Sequence, residues 1–283
     1  MRVTYHTPGS LAALLDLLSA DSVDLYVLGG GTDLTIQIRS GEKRPEGLVW
    51  MGNLPEAQGI RMTDAGLEIG AMVTMAELGA APALTGAYAA LAHAARGVGS
   101  EQIRSTATLG GNIANAAPGA DTLPALLLLD AEVQVAGADG IQWRKLASIL
   151  PGGERLQQNE VILSVRLPHQ EHGWRSAFYK LGSRQMVTIS RLSLALGLRL
   201  EDGIIQDARA FAGAVAMRPL EVLEAQTALK GQALDEKTAL LFGEVLERFV
   251  RATIPDRSSM PYKAWAAKAV AADVMRMISG EDV

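Results

Sequence analysis

The chain has 283 residues, is 48% hydrophobic and carries a formal net charge of −5, which is enough apolar material for a substantial core spread over one to three domains. The acidic balance and the lack of clustered Lys and Arg argue against a nucleic-acid partner, because phosphate neutralisation needs such clusters. With no cysteine and only four histidines, the chain forms no disulfide, thiolate zinc site or cysteine nucleophile, and any iron–sulfur centre must be carried by another polypeptide.

Apolar runs such as residues 120–129 are too short for a bilayer core of ~30 Å, and the opening Met1-Arg2-Val3-Thr4-Tyr5 lacks the apolar stretch of a signal peptide. A cytoplasmic location with no membrane span is the resulting expectation. Ser10 is placed to cap a first helix, in which Leu11, Leu14, Leu15 and Leu18 recur at helical spacing. Asp24-Leu25-Tyr26-Val27-Leu28 is a β-prone run that ends in Gly29-Gly30-Gly31, where a strand delivers the chain into a tight turn. Gly66-Leu67-Glu68-Ile69-Gly70 predicts a strand, residues 75–81 a short helix, and the Ala-rich residues 84–96 another. Residues 101–118 are rich in small and polar side chains without periodicity; they predict a long structured loop feeding an apolar helix over 122–129.

Strands over 132–135 and 141–143 flank a turn at Gly137-Ala138-Asp139-Gly140, and a strand over 161–167 is stopped by Pro168. Residues 168–173 form the best linker. Beyond it, Leu192, Leu194, Leu196, Leu198 and Leu200 alternate with Arg191, Ser193, Ala195, Gly197 and Arg199, so the leucines share one sheet face and the other is small or basic. Glu201-Asp202-Gly203 turns this strand into one over 204–212, and helices are predicted at 219–229, 236–251 and 259–278. Strands followed by helices give an α+β class. His169, Glu171 and His172 carry metal-ligating chemistry, yet they sit in the linker with no fourth ligand in view, so no metal site is assigned.

Two segments carry the functional signal. Gly29-Gly30-Gly31-Thr32-Asp33-Leu34 leaves backbone N–H groups uncovered and permits positive φ; it suits either a tight strand-to-helix turn or a loop wrapped on a diphosphate. The second, Thr106-Ala107-Thr108-Leu109-Gly110-Gly111-Asn112-Ile113-Ala114-Asn115, again couples paired glycines to hydroxyl and amide side chains. No Lys or Arg lies between Ser105 and Asp121, so an anion here is expected to be held by dipoles rather than by cations. The triphosphate-binding pattern Gly-x-x-x-x-Gly-Lys-Ser/Thr is absent, and Gly97-Val98-Gly99 lacks the third glycine of a dinucleotide fingerprint.

These segments, with Tyr5-His6-Thr7-Pro8-Gly9-Ser10-Leu11, Leu67-Glu68-Ile69-Gly70-Ala71, Glu160-Val161-Ile162-Leu163-Ser164-Val165, Tyr179-Lys180, Gly213-Ala214-Val215-Ala216, Pro219 and Tyr262-Lys263, make the sequence resemble a known family. It is that of the flavoprotein subunits of xanthine dehydrogenases, carbon monoxide dehydrogenases and related molybdenum hydroxylases. The resemblance spans nearly the whole chain and implies a two-subdomain FAD-binding fold of the vanillyl-alcohol oxidase type, at residues 1–57 and 58–168. A C-terminal flavoprotein domain of antiparallel sheet and helices follows at 174–283.

By the same resemblance Leu28, Gly29, Gly30, Gly31, Thr32, Asp33 and Leu34, with Ala107, Thr108, Gly110, Gly111 and Asn112, line the FAD diphosphate and ribityl chain, with Asn115 nearby. Asp121, Ile162 and Lys180 match positions at the cofactor, and Ile103 an apolar position beside the flavin. Lys180 over the polar edge of the ring would offer a charge-assisted contact to its reduced form. The family often carries adjacent arginines four residues after this lysine; here Arg184 is followed by Gln185, a departure on the acceptor side.

The implied role is an electron relay with no catalytic side chain of its own. A large partner subunit with a molybdenum–pterin centre oxidises substrate, a small subunit passes electrons through iron–sulfur clusters to FAD, and NAD+ or another acceptor removes them. A dimer of heterotrimers is the implied assembly. The competing reading is a self-contained FAD-dependent oxidoreductase of the same fold, which would oxidise an organic substrate unaided; a third is a cofactor-free scaffold, which would stay colourless.

Overall fold

A computed structural model of the chain describes residues 3–19, 24–137, 139–157, 159–184 and 187–281. The chain opens with β1 (Thr4–His6), α1 (Leu11–Ser19), β2 (Leu25–Leu28), α2 (Leu34–Arg39) and β3 (Gly47–Trp50). Next come β4 (Ile60–Thr63), β5 (Gly66–Gly70), α3 (Met75–Ala80), α4 (Ala89–Arg96), α5 (Glu101–Arg104), α6 (Leu109–Asn115) and α7 (Thr122–Leu128). The hairpin β6 (Glu132–Gly137) and β7 (Gly140–Lys145), then α8 (Leu146–Ile149) and β8 (Val161–Leu167), precede the C-terminal strands. Those are β9 (Trp174–Leu181), β10 (Leu192–Glu201), β11 (Ile204–Gly213) and β12 (Leu220–Glu221), and the chain ends in α9 (Glu224–Leu229), α10 (Glu236–Thr253) and α11 (Met260–Ser279). Helices and largely antiparallel sheets in separate runs make this an α+β protein. Among the described residues no helix is long and apolar enough to cross a membrane.

The chain divides into two compact units that interleave along the sequence, whereas the sequence reading cuts it linearly. The first unit takes Met1–Glu77, Glu101–Ala116 and Asp130–His169, and the second Leu78–Ser100, Ala117–Leu129 and Gln170–Val283. In the first, β1-β3-β2 form a parallel sheet and β4-β5-β8-β6-β7 an antiparallel one. Leu14 and Leu18 of α1 bury with Leu25, Val49, Leu54, Ala136, Val161 and Leu163 into one core, so the small sheet is tied to the larger through side chains. Ser10 caps α1 as expected, its Oγ accepting the Ala13 N–H at 3.2 Å.

The second unit is built on the sheet β12-β11-β10-β9. Leu192, Leu194, Leu196 and Leu198 pack with Phe242, Val245, Leu246, Val270 and Val274 from α10 and α11. The opposite face of β10 is also buried, with Ser193, Ala195 and Gly197 out of solvent. Small residues there and at the end of β11 let α7 approach closely: a methyl group placed on Gly197 would stand 3.3 Å from Leu128, and one on Gly213 2.8 Å from Pro124. Ser176 of β9 adds a polar tie, donating to Ala87 O at 2.6 Å and accepting from Ala90 N at 3.0 Å.

Several expected elements differ. Residues 101–118 are not a continuous loop but contain α5 and α6. Thr108 caps α6 by accepting the Gly111 N–H at 3.2 Å, and Leu109 and Ile113, one turn apart, are buried beneath it. The helix over 84–96 starts only at Ala89, after a turn of tighter helix at Gly86–Tyr88. Residues 219–229 open with the edge strand β12, paired to β11, before α9 begins at Glu224. Ala138 of the β6–β7 turn, Gln185 and the first two residues of the chain lie outside the described residues.

Candidate cofactor site

Strand β2 ends at Leu28, and the glycine loop that follows packs directly on the segment before α6. A Cβ on Gly30 would lie 1.8 Å from the Thr106 carbonyl oxygen, and one on Gly29 2.5 Å from Thr108 Oγ1. No side chain fits at Gly30 without moving backbone, so the glycines are required by contact between the two segments. Gly31 has φ +70, a left-handed conformation that glycine adopts at no steric cost.

This packing leaves a run of donors exposed. The N–H groups of Gly29, Gly30, Gly31, Thr32 and Asp33 donate to no protein acceptor among the described residues. The second segment behaves differently: Leu109 N donates to Val73 O at 2.9 Å, Gly110 N to Ala71 O at 2.8 Å, and Gly111 N to its cap. Its amides are engaged in holding α6 against the turn after β5, and it offers side chains instead.

The two segments form walls of an open groove of ≈ 430 Å³, within the usual ~300–1,000 Å³ of a cofactor site. Gly29 to Leu34, Ala107, Thr108, Gly111, Asn112 and Asn115 all line it, so most of the residues named from the sequence converge. Gly110 and Ile162 line an adjoining recess of ≈ 70 Å³ that shares Gly29, Thr108 and Gly111 with the groove. Leu28 lies behind the loop in β2, paired with Trp50, and is not in the groove wall. Ile103 in α5 is 38% exposed and also outside the wall; its carbonyl ties down Thr106 N and Ala107 N.

The wall also contains residues not assigned to the cofactor from the sequence, among them Tyr26, Gln37, Lys43, Gln157 and Glu160. Glu160 heads the Glu160-Val161-Ile162 motif, and its carboxylate is held by Arg144, which donates from Nη1 at 3.0 Å and also from Nη2, and by Gln157 N at 2.9 Å. Lys43 has no local signal; it lines the groove from the segment after α2, where its backbone N–H bonds Gln37 O at 3.1 Å. One cation, Lys43, lines the same groove from outside both glycine segments. Unpaired amides in a groove of this size fit the diphosphate of FAD.

Asp121 and Lys180 lie in the second unit and form a buried pair with N···O 2.6 Å, their side chains 6% and 13% exposed. Lys180 also donates to Gly97 O at 2.6 Å and Thr188 O at 3.1 Å. Its three N–H donors are therefore all engaged by the protein. The expected charge-assisted hydrogen bond from Lys180 to a reduced flavin finds no free donor in this geometry. Asp121 accepts from Lys180 and, through Oδ1, from Ser190 Oγ. Burial raises its carboxyl above the ordinary range, although the Lys180 ammonium and the Ser190 hydroxyl pull the other way.

A glycine loop of unpaired amides facing such a groove defines a protein that holds a diphosphate-bearing cofactor. Comparison with known proteins narrows the class. The family described as FAD binding domain in molybdopterin dehydrogenase matches residues 1–170, and the CO dehydrogenase flavoprotein C-terminal domain matches residues 177–278. The xanthine dehydrogenase FAD-binding subunit of Escherichia coli O157:H7 is 30% identical over 261 residues, 90% of this chain and 87% of that protein. The nicotinate dehydrogenase FAD-subunit of Eubacterium barkeri is 28% identical, over 86% of this chain and 84% of that one. A solved carbon monoxide dehydrogenase of Hydrogenophaga pseudoflava superposes with a TM-score of 0.86 at 25% identity, covering 99% of this chain and 98% of that one. The chain belongs to the family of FAD-binding medium subunits of the xanthine and carbon monoxide dehydrogenases, and is a component of an FAD-dependent oxidoreductase.

Proposed function

We propose that this chain relays electrons within a molybdenum hydroxylase, receiving them from iron–sulfur clusters on a small partner subunit and releasing them to NAD+ or another acceptor. The observation that carries the reading is the run of unpaired amides from Gly29 to Asp33 along the groove. FAD, when bound, supplies the redox chemistry, so the protein need provide only binding, orientation and exclusion of water. The amides of Gly29 to Asp33 bind the diphosphate, while Thr108, Asn112 and Asn115 contribute polar side chains to the same wall. Ile162 and Gly110 shape the recess beside it. Lys180 and Asp121 fix the segments that carry Gly97, Thr188 and Ser190 rather than donating to the ring themselves.

Absence of cysteine in the chain requires that an iron–sulfur donor be a partner. Relatives named as FAD-binding subunits and as medium chains imply, for this chain, a large molybdenum–pterin subunit and a small iron–sulfur subunit. We extend this to a dimer of heterotrimers in the cytoplasm. The test is purification of the native complex. A yellow preparation with one releasable FAD per copy of this chain, accompanied by molybdenum-bearing and iron–sulfur subunits, is expected. A colourless chain that takes up no FAD on reconstitution would overturn FAD binding, and oxidation of an organic substrate by the isolated chain would overturn the relay.

A further inference from the structure

We infer that Lys43 supplies the countercharge for the diphosphate held in the groove of the first unit, an assignment that rests on the FAD reading above. A diphosphate diester carries a negative charge on each phosphate, and backbone amides answer with dipoles but no net charge. The groove itself adds two carboxylates, Asp33 and Glu160. Glu160 is neutralised from behind by Arg144, which is not part of the wall, whereas Asp33 has no ion-pair partner among the described residues. Without a further cation, only amide dipoles would offset the charge of the phosphates and of Asp33 in the groove.

Among the described residues of the wall, Lys43 is the one cation. Its ammonium lies 5.1 Å from the centroid of the Tyr26 ring, which also lines the groove, and no carboxylate among the described residues comes within ion-pair distance of it. Attraction to the ring face holds the charge against the wall without neutralising it. The Lys43 N–H to Gln37 O bond fixes the backbone from which the side chain reaches in. Neither glycine segment contains this residue, and nothing in its local sequence marks it.

The test uses the full chain stripped of cofactor, with FAD, ADP and riboflavin as probes. ADP keeps the diphosphate and lacks the flavin; riboflavin keeps the flavin and lacks the diphosphate. Lys43→Met is expected to weaken FAD and ADP alike by about tenfold, the size of one charge-assisted contact. Riboflavin is expected to bind as before, and Lys43→Arg to recover most of the loss. In the unaltered chain, ADP affinity should fall as salt is raised, which needs no variant to fold. Equal ADP affinity in Lys43→Met and the unaltered chain, a matching loss of riboflavin, or salt-independent ADP binding would each overturn the assignment. A chain that binds ADP through Lys43 but refuses FAD would sink the FAD reading alone; one that binds neither sinks both.

Discussion

Replacing Lys180 by Met removes the cation from a pair whose side chains are 13% and 6% exposed. The stem keeps its length, so packing changes little and electrostatics decides the outcome. Three hydrogen bonds are lost, to Asp121, Gly97 O and Thr188 O. Breaking a buried pair from one side costs about 3–5 kcal/mol, because the remaining charge stays out of water. Asp121 can recover part of this by taking up a proton. Its carboxyl already lies above the ordinary range through burial, and losing the ammonium moves it further up. A carboxyl raised in the folded state favours folding below its unfolded pKa, near ~3.9, and that contribution disappears as pH rises through the folded value.

The variant should therefore approach the parent in acid and fall behind as pH rises, reaching a deficit of about 3 kcal/mol near neutrality in urea titrations. Lys180→Met combined with Asp121→Leu removes both charges and should regain most of that deficit. A single variant within about 0.5 kcal/mol of the parent at every pH, or a double variant less stable than the single, would refute the reasoning.

Gly30→Ala would place a methyl group 1.8 Å from the Thr106 carbonyl oxygen; forcing the two segments apart should cost at least about 1–3 kcal/mol and most of the bound FAD. Gly9→Ala meets nothing within 4 Å and serves as the control in thermal melts and flavin release; equal behaviour of the two would count against the packing argument. Thr108→Ala removes the cap of α6 and should lower stability by about 1 kcal/mol, with Thr108→Ser restoring it. Loss of the hydroxyl without effect on the melting temperature would show that α6 does not depend on its cap. Glu132 is held below the ordinary carboxylate range chiefly by its hydrogen bond from Arg166. That contribution is present above the unfolded pKa and lost as pH falls through the folded one, so Glu132→Gln should flatten the acid limb of the stability curve; an unchanged limb would exclude the pair as its source.

The parts of the fold that were legible in the sequence carry their own periodicity. β10 shows in the alternation of Leu192 to Leu200, and α1 in its leucines and its Ser10 cap. α6 did not show, because two adjacent glycines lower helix propensity and the helix depends, beyond its local Thr108 cap, on a tertiary contact: Gly110 lies where a Cβ would come within 2.6 Å of Ala71. β1 and β3, three and four residues long, pair in parallel with no connecting turn to announce them. The groove was half visible. Its glycines are a local pattern, whereas Lys43 and Tyr26 meet only after α2 brings the chain back. Lys180 was picked out by motif, but that its three donors are engaged depends on carbonyls at Gly97 and Thr188, one of them 83 residues away in sequence.

The interleaving of the two units constrains how the chain can be made and cut. Helices α4 and α7 precede residue 130, yet they pack against β9, β10 and β11, which emerge much later in synthesis. Until residue 213 has left the ribosome, the faces of α4 and α7 that pack on this sheet have nothing to cover them, and the nascent chain exposes an apolar surface prone to association. A fragment ending at residue 170, where the sequence family boundary falls, would keep that surface for good. The N-terminal family segment and the folding unit are thus different objects, and a stable FAD-binding fragment has to keep the C-terminal sheet or redesign these two helices.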